Sequence, residues 1–262
     1  MGFAFVTTCV LFALLGVCVG SFLNVVVYRV PLGMSIASPP SHCTSCNHQL
    51  GWLDNIPLLS YLFLRGRCRY CHEKYSSRYF WVELMNGLLW LCCALMFWQD
   101  LLWCSVAALA LSILLTMTLC DYDNLFIPDS IQIALAVVAV LSLFCDNATV
   151  VDKVLGCLGA TAFFMAFYLM SFVMFGREGM GFADVKLMAS LGLLLGWKHV
   201  AIAVVCGIAI ALLDIARQSV FLHRNDQFSK PEYPFAPYLA FGGAFAIFFS
   251  QDVINWYVNL FF

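Results

Sequence analysis

The stretch "LLWCSVAALALSILLTMTLCDYDN", residues 101–124, decides how the whole chain is to be read. Twenty uncharged residues, 101–120, end abruptly on a carboxylate, Asp121, with Asp123 two positions on. A hydrocarbon layer of about 30 Å takes roughly 20 apolar residues of helix, so the run predicts a membrane span with an acid at its end. The macrodipole places partial negative charge at a helix C-terminus, and a cation would stabilise that position better than Asp121. An acidic residue set there against the electrostatics points to chemistry rather than to structure.

The rest of the chain fits the same solvent. It is 63% hydrophobic and only 11% charged, with a mean hydropathy of +0.90. A formal net charge of −2 argues against a polyanionic partner such as nucleic acid. Apolar runs near 3–28, 82–99, 101–120, 130–145, 154–175, 185–197, 199–216 and 237–260 predict an all-α polytopic protein in the lipid bilayer with about eight transmembrane helices. The first basic residue is Arg29, which fits a retained first span better than a cleaved signal peptide. Of the 13 Lys and Arg residues, only Lys153 and Lys198 fall outside if the N-terminus is periplasmic. That bias follows the positive-inside rule and predicts that Asp121 and Asp184 both open toward the cytoplasm. The domains expected are a first helix over 1–29, a cytoplasmic loop domain over 30–80 and a membrane core over 81–262.

The loop is too short for a large core of its own. It carries "CTSC" (Cys43, Cys46) and "CRYC" (Cys68, Cys71) with 21 residues between them, a spacing that suits one structural Zn²⁺ on four thiolates. Two disulfides or reduced thiols are the alternatives, and a cytoplasmic loop disfavours disulfides. His42, His48 and His72 are expected as neighbours of the site. The other nine cysteines sit in apolar runs as small hydrophobes.

A second acid stands in "GMGFADVKLMASLG", residues 179–192, where Asp184 follows a Gly-rich turn at the mouth of another apolar run. By itself it reads equally well as a helix N-cap. Asp129, after Pro128, reads as an N-cap, and Glu83 and Asp214 are expected to snorkel or to pair with Arg78 and Arg217. Two Asp residues at the same end of different helices suggest a dyad that shares a proton, one member activating water and the other polarising a carbonyl. Helix termini alone make Asp184 the base and Asp121 the acid. No HExxH or GxSxG motif offers a competing site. A proton-coupled carrier is the rival reading, since membrane carboxylates also serve proton relays.

Several long stretches in one order are similar to the type IV prepilin peptidases, Gly-x-Gly-Asp membrane aspartyl proteases that also act as N-methyltransferases. They are "GSFLNVVVYRVP" (20–31), the cysteine-bearing loop (42–87), "DYDNLFIPD" (121–129), "GMGFADVKLMASLGLLLGW" (179–197) and "PFAPYLAFGG" (234–243). The resemblance implies Asp121 and Asp184 as catalytic residues, with Asp123, Lys186 and Gly181 in support. It implies cleavage of prepilins or type II secretion pseudopilins after a Gly, at the cytoplasmic face of a bacterial inner membrane. The new N-terminal residue would then be methylated from S-adenosylmethionine; a relative lacking methylation or activity is the variant reading. No GxGxxG motif is present, so no residue is assigned to the methyl donor. The sequence departs from the family at Ala183 and Ala236, where glycines are usual, and at Phe80, where Pro is usual. Ala183 is expected to reduce flexibility at the second motif without abolishing activity.

Overall fold

The computed structural model describes residues 2–145, 149–175, 180–222 and 234–261. Arg177, Gly179, Arg224 and Lys230, which entered the sequence reading, lie outside them. The described residues form helices α1 (Gly2–Arg29), α2 (Leu59–Leu64), α3 (Arg78–Phe97), α4 (Leu101–Asn124), α5 (Asp129–Leu141), α6 (Val150–Phe175), α7 (Phe182–Leu195), α8 (Trp197–Leu222) and α9 (Ala236–Phe261). Among the described residues there is no strand beyond two isolated bridges, His42 with Gln49 and Arg67 with Lys74.

Six helices, α1, α3, α4, α6, α8 and α9, are long and apolar enough to cross a membrane. The expected count of eight is not confirmed. The runs at 130–145 and 185–197 become α5 and α7, of 13 and 14 residues. At 1.5 Å per residue each covers only about 20 Å. Periodicity cannot separate a short span from a buried helix when the run is apolar on every side. α7 is of the second kind: Val185, Leu187, Met188, Leu191, Leu194 and Leu195 are all buried, and it packs against α5, α6, α8 and α9.

The chain divides into two compact units, Met1–Cys104 and Ser105–Phe262, with the boundary inside α4. In the first unit α1 lies against α3 through Gly16 and Gly20, one helical turn apart. A Cβ on Gly16 would sit 2.6 Å from Trp90 Cβ, and one on Gly20 would sit 2.8 Å from Glu83 Cα. Such small-xxx-small contacts suit lipid, where close backbone approach replaces hydrophobic driving force. Asn86, fully buried, donates Nδ2 to the Gly16 carbonyl at 2.6 Å. Phe80 stands in the first turn of α3, where the family's Pro would fit, and instead packs its ring on Tyr61 with centroids 5.3 Å apart.

In the second unit α6 meets α7 and the turn after it at Gly156, where a Cβ would lie 2.6 Å from both the Gly192 carbonyl oxygen and the Gly196 carbonyl carbon. Because backbone atoms cannot retreat as a flexible side chain can, Gly156→Val should cost about 1–3 kcal/mol by overpacking. The expected outcome is a lower melting temperature in detergent, and an unchanged one would refute this account of the contact. Lys153 is fully buried and donates Nζ to the Ser142 carbonyl (2.8 Å) and hydroxyl (3.0 Å). It thus sets a cation at the C-terminal end of α5, the favourable end of the dipole.

Candidate functional site

In the second unit several helix ends converge. Asp121, on the last turn of α4, is 8% exposed, and Asp184, in the first turn of α7, is 5% exposed. Their carboxyls lie close enough to interact electrostatically. Asp121 Oδ2 accepts the backbone N–H of Ala236, the first residue of α9, at 3.2 Å. The last turn of α4 closes when the Leu125 amide reaches the Asp121 carbonyl (2.9 Å). Leu125 itself is left-handed at φ 52°, a conformation that costs a non-Gly residue about 1–2 kcal/mol.

Neither Asp129 nor Asp184 is an N-cap residue. Pro128 and Gly181 occupy those positions, both extended, and each Asp lies within the first helical turn. Asp184 is held there by its own amide, which donates to the Gly181 carbonyl at 3.1 Å. Lys186 Nζ reaches Asp129 Oδ1 at 2.6 Å, tying α7 to α5. Both partners are substantially exposed, which limits such a pair to about 0–1 kcal/mol. Asp129→Ala should therefore lower stability by no more than about 1 kcal/mol, as measured by melting temperature in detergent.

Asp123 is exposed, two residues beyond Asp121, and Gly181 caps α7. Asp214 does pair with Arg217 (2.9 Å) and also accepts the Tyr238 hydroxyl at 2.6 Å. Ala183 lies in the first turn of α7 with a negative φ, and Ala236 opens α9 in the same way. The two alanines thus stand where no positive φ is required, and the expected loss of flexibility has no backbone cause.

Gln132 is a residue the sequence reading missed. It is 4% exposed on α5 and donates Nε2 to the Ala183 carbonyl at 2.9 Å. Its Oε1 is buried without a hydrogen-bond partner among the described residues. A glutamine inside an apolar run, three residues from Asp129, was the available signal.

In the first unit the four thiols of Cys43, Cys46, Cys68 and Cys71 come together, every Sγ within 4.8 Å of the others. Two matching knuckles bring this about. Cys43 N–H donates to His48 O and Asn47 N–H to Cys43 O, both at 2.9 Å; Cys68 N–H donates to Glu73 O at 2.9 Å and His72 N–H to Cys68 O at 3.0 Å. The residue after each second Cys, Asn47 or His72, turns left-handed at φ 55° or 58°. The Cys43–Cys71 sulfur separation is 3.8 Å, and a tetrahedron with Zn–S bonds of about 2.3 Å has edges of about that length. No disulfide joins them.

The electrostatics of the four sulfurs also favour a cation. The Cys46 and Ser45 amides pull the Cys43 thiol down to about 6. Cys71 is pushed up to about 12, although the Glu73 amide favours its thiolate, because desolvation and the other three thiols oppose a further negative charge. A divalent metal is what lets all four ionise together. The histidines are neighbours: the His48 ring stacks on Tyr70 at 3.6 Å and His42 Nδ1 lies 3.2 Å from the Pro40 carbonyl.

A polytopic membrane protein, with six candidate spans among the described residues, a four-cysteine cluster and a pair of buried carboxyls, is the class that these features define. Two family models match the chain, the Bacterial Peptidase A24 N-terminal domain over residues 14–97 and the Type IV leader peptidase family over residues 108–215. The chain is 34% identical to the prepilin leader peptidase/N-methyltransferase of Aeromonas hydrophila, covering 93% of this chain and 91% of that one. It is 33% identical to the protein of the same name from Pectobacterium carotovorum over 89% and 90%, and 42% identical to that of Myxococcus xanthus over 70% and 55%. The chain belongs to the type IV leader peptidase family. No solved structure gives a significant match.

Proposed function

We propose that this chain is an inner-membrane aspartic endopeptidase that removes the leader of prepilins or type II secretion pseudopilins after a Gly and then N-methylates the new N-terminus from S-adenosylmethionine. The observation that carries this reading is the burial of Asp121 and Asp184 at the ends of two different helices of one compact unit, in a chain of this family. Two buried carboxyls that face each other share a proton more readily than they both ionise. Each carboxyl accepts a backbone amide at a helix N-terminus, Asp121 from Ala236 of α9 and Asp184 from Gly181 at the start of α7, and both features favour a carboxylate. The pair therefore works as a unit: one member takes a proton from water while the other carries the shared proton and donates it toward the scissile carbonyl oxygen. Gln132 Oε1, buried beside Ala183, offers an acceptor to a peptide N–H of the substrate. The active site opens to the cytoplasm, with the N-terminus periplasmic, as the distribution of Lys and Arg supports.

The four thiolates would hold one structural Zn²⁺, which supplies folding energy to a segment without a core of its own. Coexpression with a prepilin and mass spectrometry of the pilin tests the whole reading. Pilin that is cleaved and heavier by one methyl group is expected. Pilin that stays intact would overturn the peptidase, and cleaved but unmethylated pilin would overturn the transferase.

A further inference from the structure

Helix α2, in the first unit, has the sequence "LSYLFL" and is amphipathic in the reverse sense. Leu59, Leu62 and Phe63, spaced i, i+3 and i+4 on one face, are 49%, 58% and 82% exposed. Its polar residues, Ser60 and Tyr61, are half-buried. A surface helix in water carries the opposite pattern. The Ser60 hydroxyl donates to the Ile56 carbonyl at 2.8 Å, and the Tyr61 ring lies 5.3 Å from Phe80 and edge-on to Tyr75 at 5.5 Å. Gly66 admits that ring, since a Cβ there would stand 2.9 Å from it.

The depth of this helix follows from α3. Its 20 residues span about 30 Å, one hydrocarbon layer, so the first turn of α3 stands at a boundary. Tyr79 and Trp81 there, and Tyr28 in the last turn of α1, are exposed, as aromatic residues at that level commonly are. Tyr61 rests on Phe80, between Tyr79 and Trp81 in the sequence. The Leu58 amide, at the start of α2, is bonded to Glu83 at 2.7 Å, and Glu83 lies about 7.5 Å further along α3 than Arg78. An amphipathic helix resting in a leaflet sits about 5–10 Å into the headgroup and acyl boundary. Arg65 closes α2, and Arg67 and Lys74 follow it, all exposed, a charge that suits anionic headgroups. Three apolar side chains fall short of the roughly 800 Å² per partner that a stable protein interface takes. We infer that α2 is an interfacial anchor. Leu59, Leu62 and Phe63 insert among the acyl chains of the leaflet beside the first turn of α3, and they hold the cysteine-bearing loop against the lipid surface.

A photoreactive probe reads the occupant of this face directly. With p-benzoylphenylalanine in place of Phe63, the purified chain in nanodiscs of phosphatidylcholine and phosphatidylglycerol should give phospholipid adducts on illumination, found by mass spectrometry of that peptide. The same probe in place of Leu88, exposed midway along α3, is the reference for lipid contact. Lipid adducts at the α3 position with none at the α2 position would overturn the anchor. So would a second copy of the chain cross-linked through α2, or prepilin captured there in membranes that contain it. Independently, Phe63→Asp should speed tryptic cleavage after Arg65 in nanodiscs by about tenfold or more, since the burial of one aromatic side chain is lost. Its melting temperature in detergent should stay near wild type, because the Phe63 side chain is largely outside the packed interior. An unchanged cleavage rate, or faster cleavage accompanied by a lower melting temperature, would overturn the anchor.

Discussion

Asp121→Asn and Asp184→Asn should each reduce prepilin cleavage by about 10²–10⁴-fold or more, the range that a positioned acid or base contributes. Asn retains the shape and polarity of Asp but can neither share the proton nor carry the charge. The helix ends should therefore keep their packing, and the melting temperature should stay near wild type. The double variant should be little worse than either single one, since residues acting as a unit are not additive. Full activity in either single variant would end the dyad mechanism. Activity lost together with folding would instead mean that the carboxyls are structural. The outcome at Asp129, which pairs with Lys186 on the exposed rim, is the internal comparison: it lies near the same helix ends and should tolerate change.

The second large effect concerns the metal. One zinc per chain is expected by elemental analysis. Its removal by a strong chelator, or replacement of Cys43 and Cys68 together by Ser, should unfold the segment between α1 and α3. Structural zinc sites contribute an apparent ~10–16 kcal/mol near neutral pH, more than a segment of this size can recover from burial. Proteolysis after Arg65, Arg67 and Arg69 is the readout, slow in the holoprotein and fast without metal. A metal-free protein as resistant to protease as the holoprotein would show that the thiols do not hold the fold.

Much of this was legible beforehand because the relevant signals are local. Four cysteines in two Cys-x-x-Cys pairs announce a tetrahedral cluster through spacing alone, and the cluster forms. Asp121 declared itself by sitting at the wrong end of a dipole. What stayed hidden depends on partners distant in sequence. Lys186 was read with Asp184, two residues away, yet it pairs with Asp129, 57 residues away. The Ala236 amide reaches Asp121 across 115 residues, so the assignment of base and acid from single helices omitted a third helix. Glu83 was expected to snorkel or to pair with Arg78, and it is buried with its carboxyl on the Leu58 amide, because the glycine that admits it, Gly20, is on α1. The count of eight spans is not confirmed for a related reason: most of α7 is buried because other helices pack around it, and composition cannot tell that surround from lipid.

The brevity of α7 has a consequence for hydration. Fourteen residues extend about 21 Å, some 9 Å less than an average hydrocarbon layer. α5, α6, α8 and α9 pack around the helix, so the shortfall faces protein rather than lipid. A helix end at membrane depth is tolerated where it is buried in protein or lines water, and the Gly181 turn that opens α7 is the side from which a solvent molecule would come to Asp184.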